Sequence, residues 1–152
     1  MIYVGIDVAK DKHDCCILGS DAEELFPVFT IRNNREGYDE LFRRIETASK
    51  DLSQIKVGLE ATDHYSYNIL GSLLDRGYHT FVINPLHTNL YRKGQRLRKT
   101  KTDKVDARSI AEMLVTDKTL RPYTDTSYYS EELKPLTRYR FDLIQRRAKL
   151  KT

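Results

Sequence analysis

The sequence predicts an α/β fold, a mixed sheet flanked by helices, and two observations predict it. Three apolar-rich stretches separated by turn residues open the chain, and after them apolar residues at helical spacing alternate with short β-rich runs. A third observation sets chemistry on that frame: acids close two of the apolar runs, and two more acids stand three residues apart in a later segment.

The first stretch, Ile2-Tyr3-Val4-Gly5-Ile6-Asp7-Val8, is nearly all apolar up to its aspartate, as expected of a central strand buried on both faces, and it leaves Asp7 near the strand's end. The segments His13 to Leu18 and Glu24 to Arg32, split by Gly19-Ser20-Asp21, extend it into an antiparallel meander that Asn33-Asn34 closes. From Arg35 to Ser49, Tyr38, Leu41, Phe42, Ile45 and Ala48 recur at helical spacing with charges on the other side, and Asn34 is placed to cap the helix. A strand from Ile55 to Leu59 ends at Glu60, and a helix carrying Tyr67, Leu70, Leu73 and Leu74 stops at Gly77. The strand from Tyr78 to Ile83 is ended by Asn84-Pro85, and a last helix runs through Ala107, Ile110, Ala111 and Leu114. Strand, strand, strand, helix, strand, helix, strand, helix is the order of the ribonuclease-H-like fold.

We therefore expect one domain over residues 1–116 and, from Pro122 and the threonines and tyrosines around it, a linker over 117–129. In residues 130–152, Leu136, Tyr139, Leu143 and Leu150 are spaced for one long basic helix starting near Pro135. It reaches Thr152 without a cap, which predicts that the natural protein continues. No internal repeat or low-complexity tract interrupts the pattern.

With 26 Lys+Arg against 22 Asp+Glu the net charge is +4, a modest pointer to a polyanion partner. Its distribution says more. Arg92, Lys93, Arg96, Arg98, Lys99 and Lys101 follow one another with no acid between them, Lys104 lies just beyond, and these are the candidate phosphate-contacting residues. The adjacent Cys15 and Cys16 would be strained as a disulfide and leave no other thiol to pair with, which fits a reducing compartment. Asp7, Lys10, Asp11 and Lys12 interrupt the N-terminal apolar run before it could become a signal or a membrane span, so a soluble cytoplasmic protein is expected.

Magnesium takes oxygen ligands in near-octahedral geometry, so a centre that cuts nucleic acid needs several carboxylates at one point. Asp7 and Glu60 each end an apolar strand run and, if those strands are neighbours, share one edge. Asp103 and Asp106 sit on one face of a helical segment directly after the basic run. Together these four are the candidate metal ligands and catalytic residues, holding two ions roughly 4 Å apart for in-line phosphoryl displacement. Taken singly, each has a plainer role open to it: a loop or helix cap for Asp7, Glu60 and Asp103, and an exposed first-turn acid for Asp106. The combination favours the metal. His64 and Tyr65 follow Glu60 closely, but His13, His79 and His87 lack metal-ligand spacing, no Cys/His cluster suggests zinc, and no glycine loop suggests a nucleotide.

Four motifs in order, Gly5-Ile6-Asp7-Val8-Ala9-Lys10, Leu59-Glu60-Ala61-Thr62, Asn84-Pro85 and Lys101-Thr102-Asp103-Lys104-Val105-Asp106-Ala107, cover about the first 115 residues. They resemble the DEDD transposases of the insertion-sequence one-ten family, relatives of the Piv invertase whose N-terminal domain is similar to the RuvC Holliday-junction resolvase. The resemblance implies a RuvC-like catalytic domain with Asp7, Glu60, Asp103 and Asp106 as ligands of magnesium, for which manganese substitutes. It also implies DNA and a guide, or bridge, RNA as partners, and a further C-terminal domain with a nucleophilic serine that this chain does not contain. On the same footing residues 130–152 would begin a coiled coil that joins two copies of the protein. Asp63 departs from the pattern, standing where that family usually has glycine. Two other classes are weighed against this one: a nucleic-acid-binding module without catalysis, and an actin-like ATPase or sugar kinase, which also begins with a strand and Gly-Ile-Asp but needs phosphate-binding segments not found here.

Overall fold

In a computed structural model, residues 1–61, 64–96 and 107–123 are described, without the side chains of residues 89 and 92–96. The expected meander forms from β1 (Ile2–Asp7), β2 (Lys12–Leu18) and β3 (Glu24–Arg32). Helix α1 (Arg35–Ala48) then leads to β4 (Ile55–Glu60), α2 (Tyr67–Asp75) and β5 (His79–Ile83), with single 3-10 turns at Leu52–Gln54 and His64–Ser66. Two further helices follow, α3 (Pro85–Arg96) and α4 (Ala107–Thr116).

The five strands form one sheet in the order β3-β2-β1-β4-β5. β1 runs antiparallel to β2 and parallel to β4, and β4 runs parallel to β5. β1 is therefore central, and Val4 and Ile6 are fully buried there. β3 lies at the edge, where Pro27 costs no ladder hydrogen bond to a further strand and the register with β2 shifts between Cys15 and Leu18. Both cysteines on the neighbouring β2 are buried, and neither forms a disulfide.

Alternation along the strands separates two faces. Cys16 and Leu18 of β2 join Tyr3, Phe81, Ala107, Ala111 and Leu114 in the core beneath α4. His13, of opposite parity, stacks on Tyr38 of α1, so α1 covers the other face. Asn34 caps α1 by accepting from the Gly37 amide. At the end of α2, Arg76 pairs with Asp39 and Glu46 of α1 and lies over the Phe42 ring, joining the two helices. Gly77, with φ +83°, stops α2 in a left-handed conformation that side chains resist.

α3 is the element the sequence hid. Asn84-Pro85 ends β5 and also starts a helix: the Asn84 side chain accepts from the Leu86 amide, its carbonyl accepts from His87 and Thr88, and proline suits the first helical position. Leu86 and Leu90 point outward, 72% and 67% exposed, while Tyr91 packs against Ile83, Ile110 and Met113, so the leucines do not form an inward stripe. α4 matches the expected helix from Ala107 onward. No helix among the described residues is long and apolar enough to cross a membrane.

His13 ties the β1–β2 loop down, its Nδ1 accepting the Ala9 amide at 3.2 Å. Burial pushes its pKa below the usual 6.5, outweighing the Asn33 hydrogen bond and the Asp14 charge that favour the proton. The folded chain thus takes up a proton less readily than the unfolded one. His13 then contributes its full stabilisation above about pH 6.5 and loses it as pH falls toward the lower folded-state value. Urea midpoints are expected to drop between pH 7.5 and 5.5, and His13→Gln should flatten that slope. An equally steep slope in the variant would remove His13 as its cause.

Candidate functional site

Asp7 and Glu60 are the last residues of β1 and β4, and the parallel register runs through Val4↔Val57, Gly5↔Gly58 and Ile6↔Leu59, so the two acids come next on each strand. They leave the sheet on the same face as Gly5 and Gly58, two residues back. That face is α4's. A Cβ on Gly5 would lie 2.0 Å from the Ala107 carbonyl oxygen and 2.6 Å from the Ala111 nitrogen, and one on Gly58 would meet Leu114 at 3.0 Å. Glycine at position 5 is what lets the helix backbone come down onto β1.

Ala107 and Ala111 pack at Gly5 on β1 and Leu114 packs at its register partner Gly58 on β4, so α4 crosses these two strands two residues short of Asp7 and Glu60. Asp106 is the residue bonded to Ala107. Asp103 and Asp106 themselves lie outside the described residues, as do Arg98, Lys99, Lys101, Lys104 and Asp63. Arg92, Lys93 and Arg96 belong to α3, but their side chains are not among those described.

Two polar residues at this edge were not singled out from the sequence. The antiparallel register pairs Asp14 directly with Asp7, which sets a second carboxylate on the α4 face. Its Oδ1 accepts the Thr30 hydroxyl at 2.6 Å, and Thr30 is in turn its register partner on β3. Thr30, Asp14, Asp7 and Glu60 thus form one row across four strands. The two positions flank the short connection between β1 and β2, but their pairing becomes readable only once the register is known.

The second missed residue is Thr88 on α3, 1% exposed, whose hydroxyl lies 2.9 Å from Glu60 Oε2 and 2.9 Å from the Pro85 carbonyl. α3 therefore holds one oxygen of Glu60 in place. Neighbouring ties brace the helices: His87 to Asp117 at 2.8 Å, and Arg108 to Glu24 at 2.5 Å and Glu112 at 2.9 Å. Thr88→Val should cost about 1 kcal/mol of stability, as one lost hydrogen bond does. It should weaken manganese binding about 10- to 100-fold, as loss of a residue that orients a ligand does. Calorimetric titration checks this, and unchanged affinity would mean that Glu60 is not a ligand.

The strand order reverses direction between β1 and β4, since β1 continues to one side and β4 to the other. In open α/β sheets ligands bind outside the carboxyl ends of the strands at such a point. Among the described residues no group of three or more His, Cys, Asp or Glu side chains is close enough to hold a metal ion. Asp7 and Glu60 are two of the four acids expected, and the other two lie outside the described residues.

A family model for DEDD transposases of the IS110 type, described as "Transposase", matches residues 4–152. The chain is 28% identical over 149 residues to the insertion element IS116 uncharacterized 44.8 kDa protein of Streptomyces clavuligerus, covering 98% of this chain and 36% of that protein. It is 28% identical over 152 residues to the mini-circle putative transposase for IS117 of Streptomyces coelicolor, with the same shares covered. It thus spans about a third of the length of these curated relatives. Among solved structures, Thermus thermophilus RuvC superposes with a TM-score of 0.54 at 13% identity, covering 81% of this chain and 100% of that one. The same protein in complex with a Holliday junction substrate gives 0.51 at 13% identity, covering 81% of this chain and 99% of that one. At that identity the likeness shows the fold, which is RuvC-like.

Proposed function

This chain belongs to the IS110-type DEDD transposase family, and from that premise we propose that residues 1–116 are the divalent-metal-dependent catalytic domain of an insertion-sequence transposase, acting in DNA cleavage and strand exchange at Asp7, Glu60, Asp103 and Asp106. One observation carries the reading: two carboxylates end adjacent parallel strands on one face, at the switch point of a RuvC-like sheet. The curated relatives that the chain matches include a putative transposase.

The donor chemistry fits the ion. Carboxylate oxygens are what magnesium, or manganese in its place, accepts as ligands, and Asp7 and Glu60 bring them to one strand edge without a competing thiol or imidazole between them in the row. When bound, such ions supply activation of the attacking oxygen and charge stabilisation of the leaving oxygen. The chain's own residues prepare the place. Gly5 lets α4 dock, and α4 begins at the residue bonded to Asp106. Thr88 fixes the orientation of Glu60, and Asp14 adds negative charge across from Asp7.

DNA is the substrate in this reading, as a Holliday junction is for the RuvC neighbour. Arg92, Lys93, Arg96, Arg98, Lys99, Lys101 and Lys104 contact its phosphates, a guide RNA selects the sites, and residues 130–152 begin a helix that joins two copies in the cytoplasm. The test is strand cleavage by the full-length transposase that contains this chain, with Asp7→Asn and Glu60→Gln as variants. Cleavage that survives both changes, or proceeds in EDTA, would overturn the proposal.

A further inference from the structure

We propose that Lys12 and Arg32 form a second DNA-phosphate contact surface, on the β2–β3 side of the acidic row and separate from the basic segment that follows β5. The inference rests on the transposase reading and adds to it the place where the substrate backbone crosses the sheet edge.

The geometry comes from the register. Lys12 of β2 is paired with Arg32 of β3, directly opposite it, and the next pair on that face is Asp14 with Thr30. Both cations therefore leave the sheet on the α4 face, about 7 Å, or two strand residues, beyond the row that holds Asp14, Asp7 and Glu60. α4 starts at Ala107 over Gly5, further in, so both side chains are exposed. Lys10, in the loop between β1 and β2, is exposed beside them.

Charge is the second observation. Like charges directly opposite each other in an antiparallel ladder destabilise the sheet. Arg44 is paired with Glu40, Arg76 with Asp39 and Glu46, and Arg108 with Glu24 and Glu112; the exposed Arg35, Arg43 and Arg121 make no ion pair among the described residues, but none of them lies in a strand opposite a like charge. Lys12 and Arg32 make no ion pair among the described residues. The nearest acid on their face, Asp14, has its Oδ1 held by Thr30. An unpaired cation pair placed opposite each other, next to acids that act on a phosphodiester, is a pair kept for phosphate oxygens.

The rows also give direction. The acidic row is bracketed by Lys12 and Arg32 on the β3 side and by α3, with Arg92, Lys93 and Arg96 in its sequence, on the β5 side. A backbone spanning both passes over Asp7 and Glu60.

The experiment measures binding of the 152-residue chain to a fluorescein-labelled DNA duplex by anisotropy across a salt titration, with melting temperatures recorded in parallel. Lys12→Ala combined with Arg32→Thr is expected to weaken binding about tenfold and to reduce the slope of log affinity against log salt by about two. Melting temperature should hold or rise, since repulsion has been removed. Arg32→Glu alone, by pairing with Lys12, should raise the melting temperature further while still weakening DNA binding. Unchanged affinity and salt slope in these variants would overturn the proposal, as would a loss seen with RNA and not with DNA. If the parent chain shows no salt-dependent DNA binding, the transposase reading falls and takes this inference with it. If neutralising Arg92 and Lys93 weakens binding while neutralising Lys12 and Arg32 does not, this inference alone falls.

Discussion

Gly5→Ala is expected to destabilise the domain by about 3 kcal/mol or more, the upper end of what overpacking costs. The added methyl would meet the Ala107 carbonyl oxygen at 2.0 Å and the Ala111 nitrogen at 2.6 Å, and both are backbone atoms that no rotamer change can move. β1 is held between β2 and β4, so the strain must lift α4. At about 2–4 °C per kcal/mol for a chain of this size, the melting temperature should fall by roughly 6–12 °C. Gly58→Ala is the internal control. Its methyl would meet only the flexible end of Leu114 at 3.0–3.2 Å, so a loss of about 1 kcal/mol is expected. Equal melting of the two variants would refute the close docking of α4 on β1. If docking fails, Ala107 moves, and Asp106 is bonded to it, so Gly5→Ala should also weaken manganese binding although residue 5 carries no ligand.

Asp7→Asn and Glu60→Gln are expected to lower metal-dependent DNA cleavage by at least about 10²–10³-fold, the rate equivalent of the several kcal/mol that a divalent ion contributes to phosphoryl transfer. Each change keeps the side-chain volume and removes the charge that, in the proposed centre, would hold the ion. Stability should change little or rise, because Asp7 faces Asp14 directly across the ladder and like charges so placed repel. Loss of cleavage with intact or higher stability is the signature of a ligand. Loss of both together would make these acids structural.

Most of the sheet and its flanking helices were legible because the apolar patterning of β1, β2, β4, β5, α1, α2 and α4 follows burial closely, and Asn34 and Gly77 mark ends for clear physical reasons, while the edge strand β3 was legible from its β-rich composition although Leu25 and Val28 are exposed. α3 was not, because Leu86 and Leu90 face solvent while Thr88 and Tyr91 make its inward contacts, so its leucines do not mark the buried face. Asp7 and Glu60 could be read as strand ends, whereas their common face depends on the Gly5↔Gly58 pairing, a tertiary fact. Asp14 and the Lys12–Arg32 pair needed the hairpin register, which a one-residue slip would have turned to the other side.

The central claim is that the strand-end acids hold a divalent ion. Anomalous scattering from crystals of the chain soaked in manganese tests it most directly. The expected result is a peak within coordination distance, about 2.2 Å, of carboxylate oxygens of both Asp7 and Glu60, and its disappearance in Asp7→Asn. Manganese bound elsewhere, with both acids uncoordinated, or a peak that persists unchanged in that variant, would contradict it.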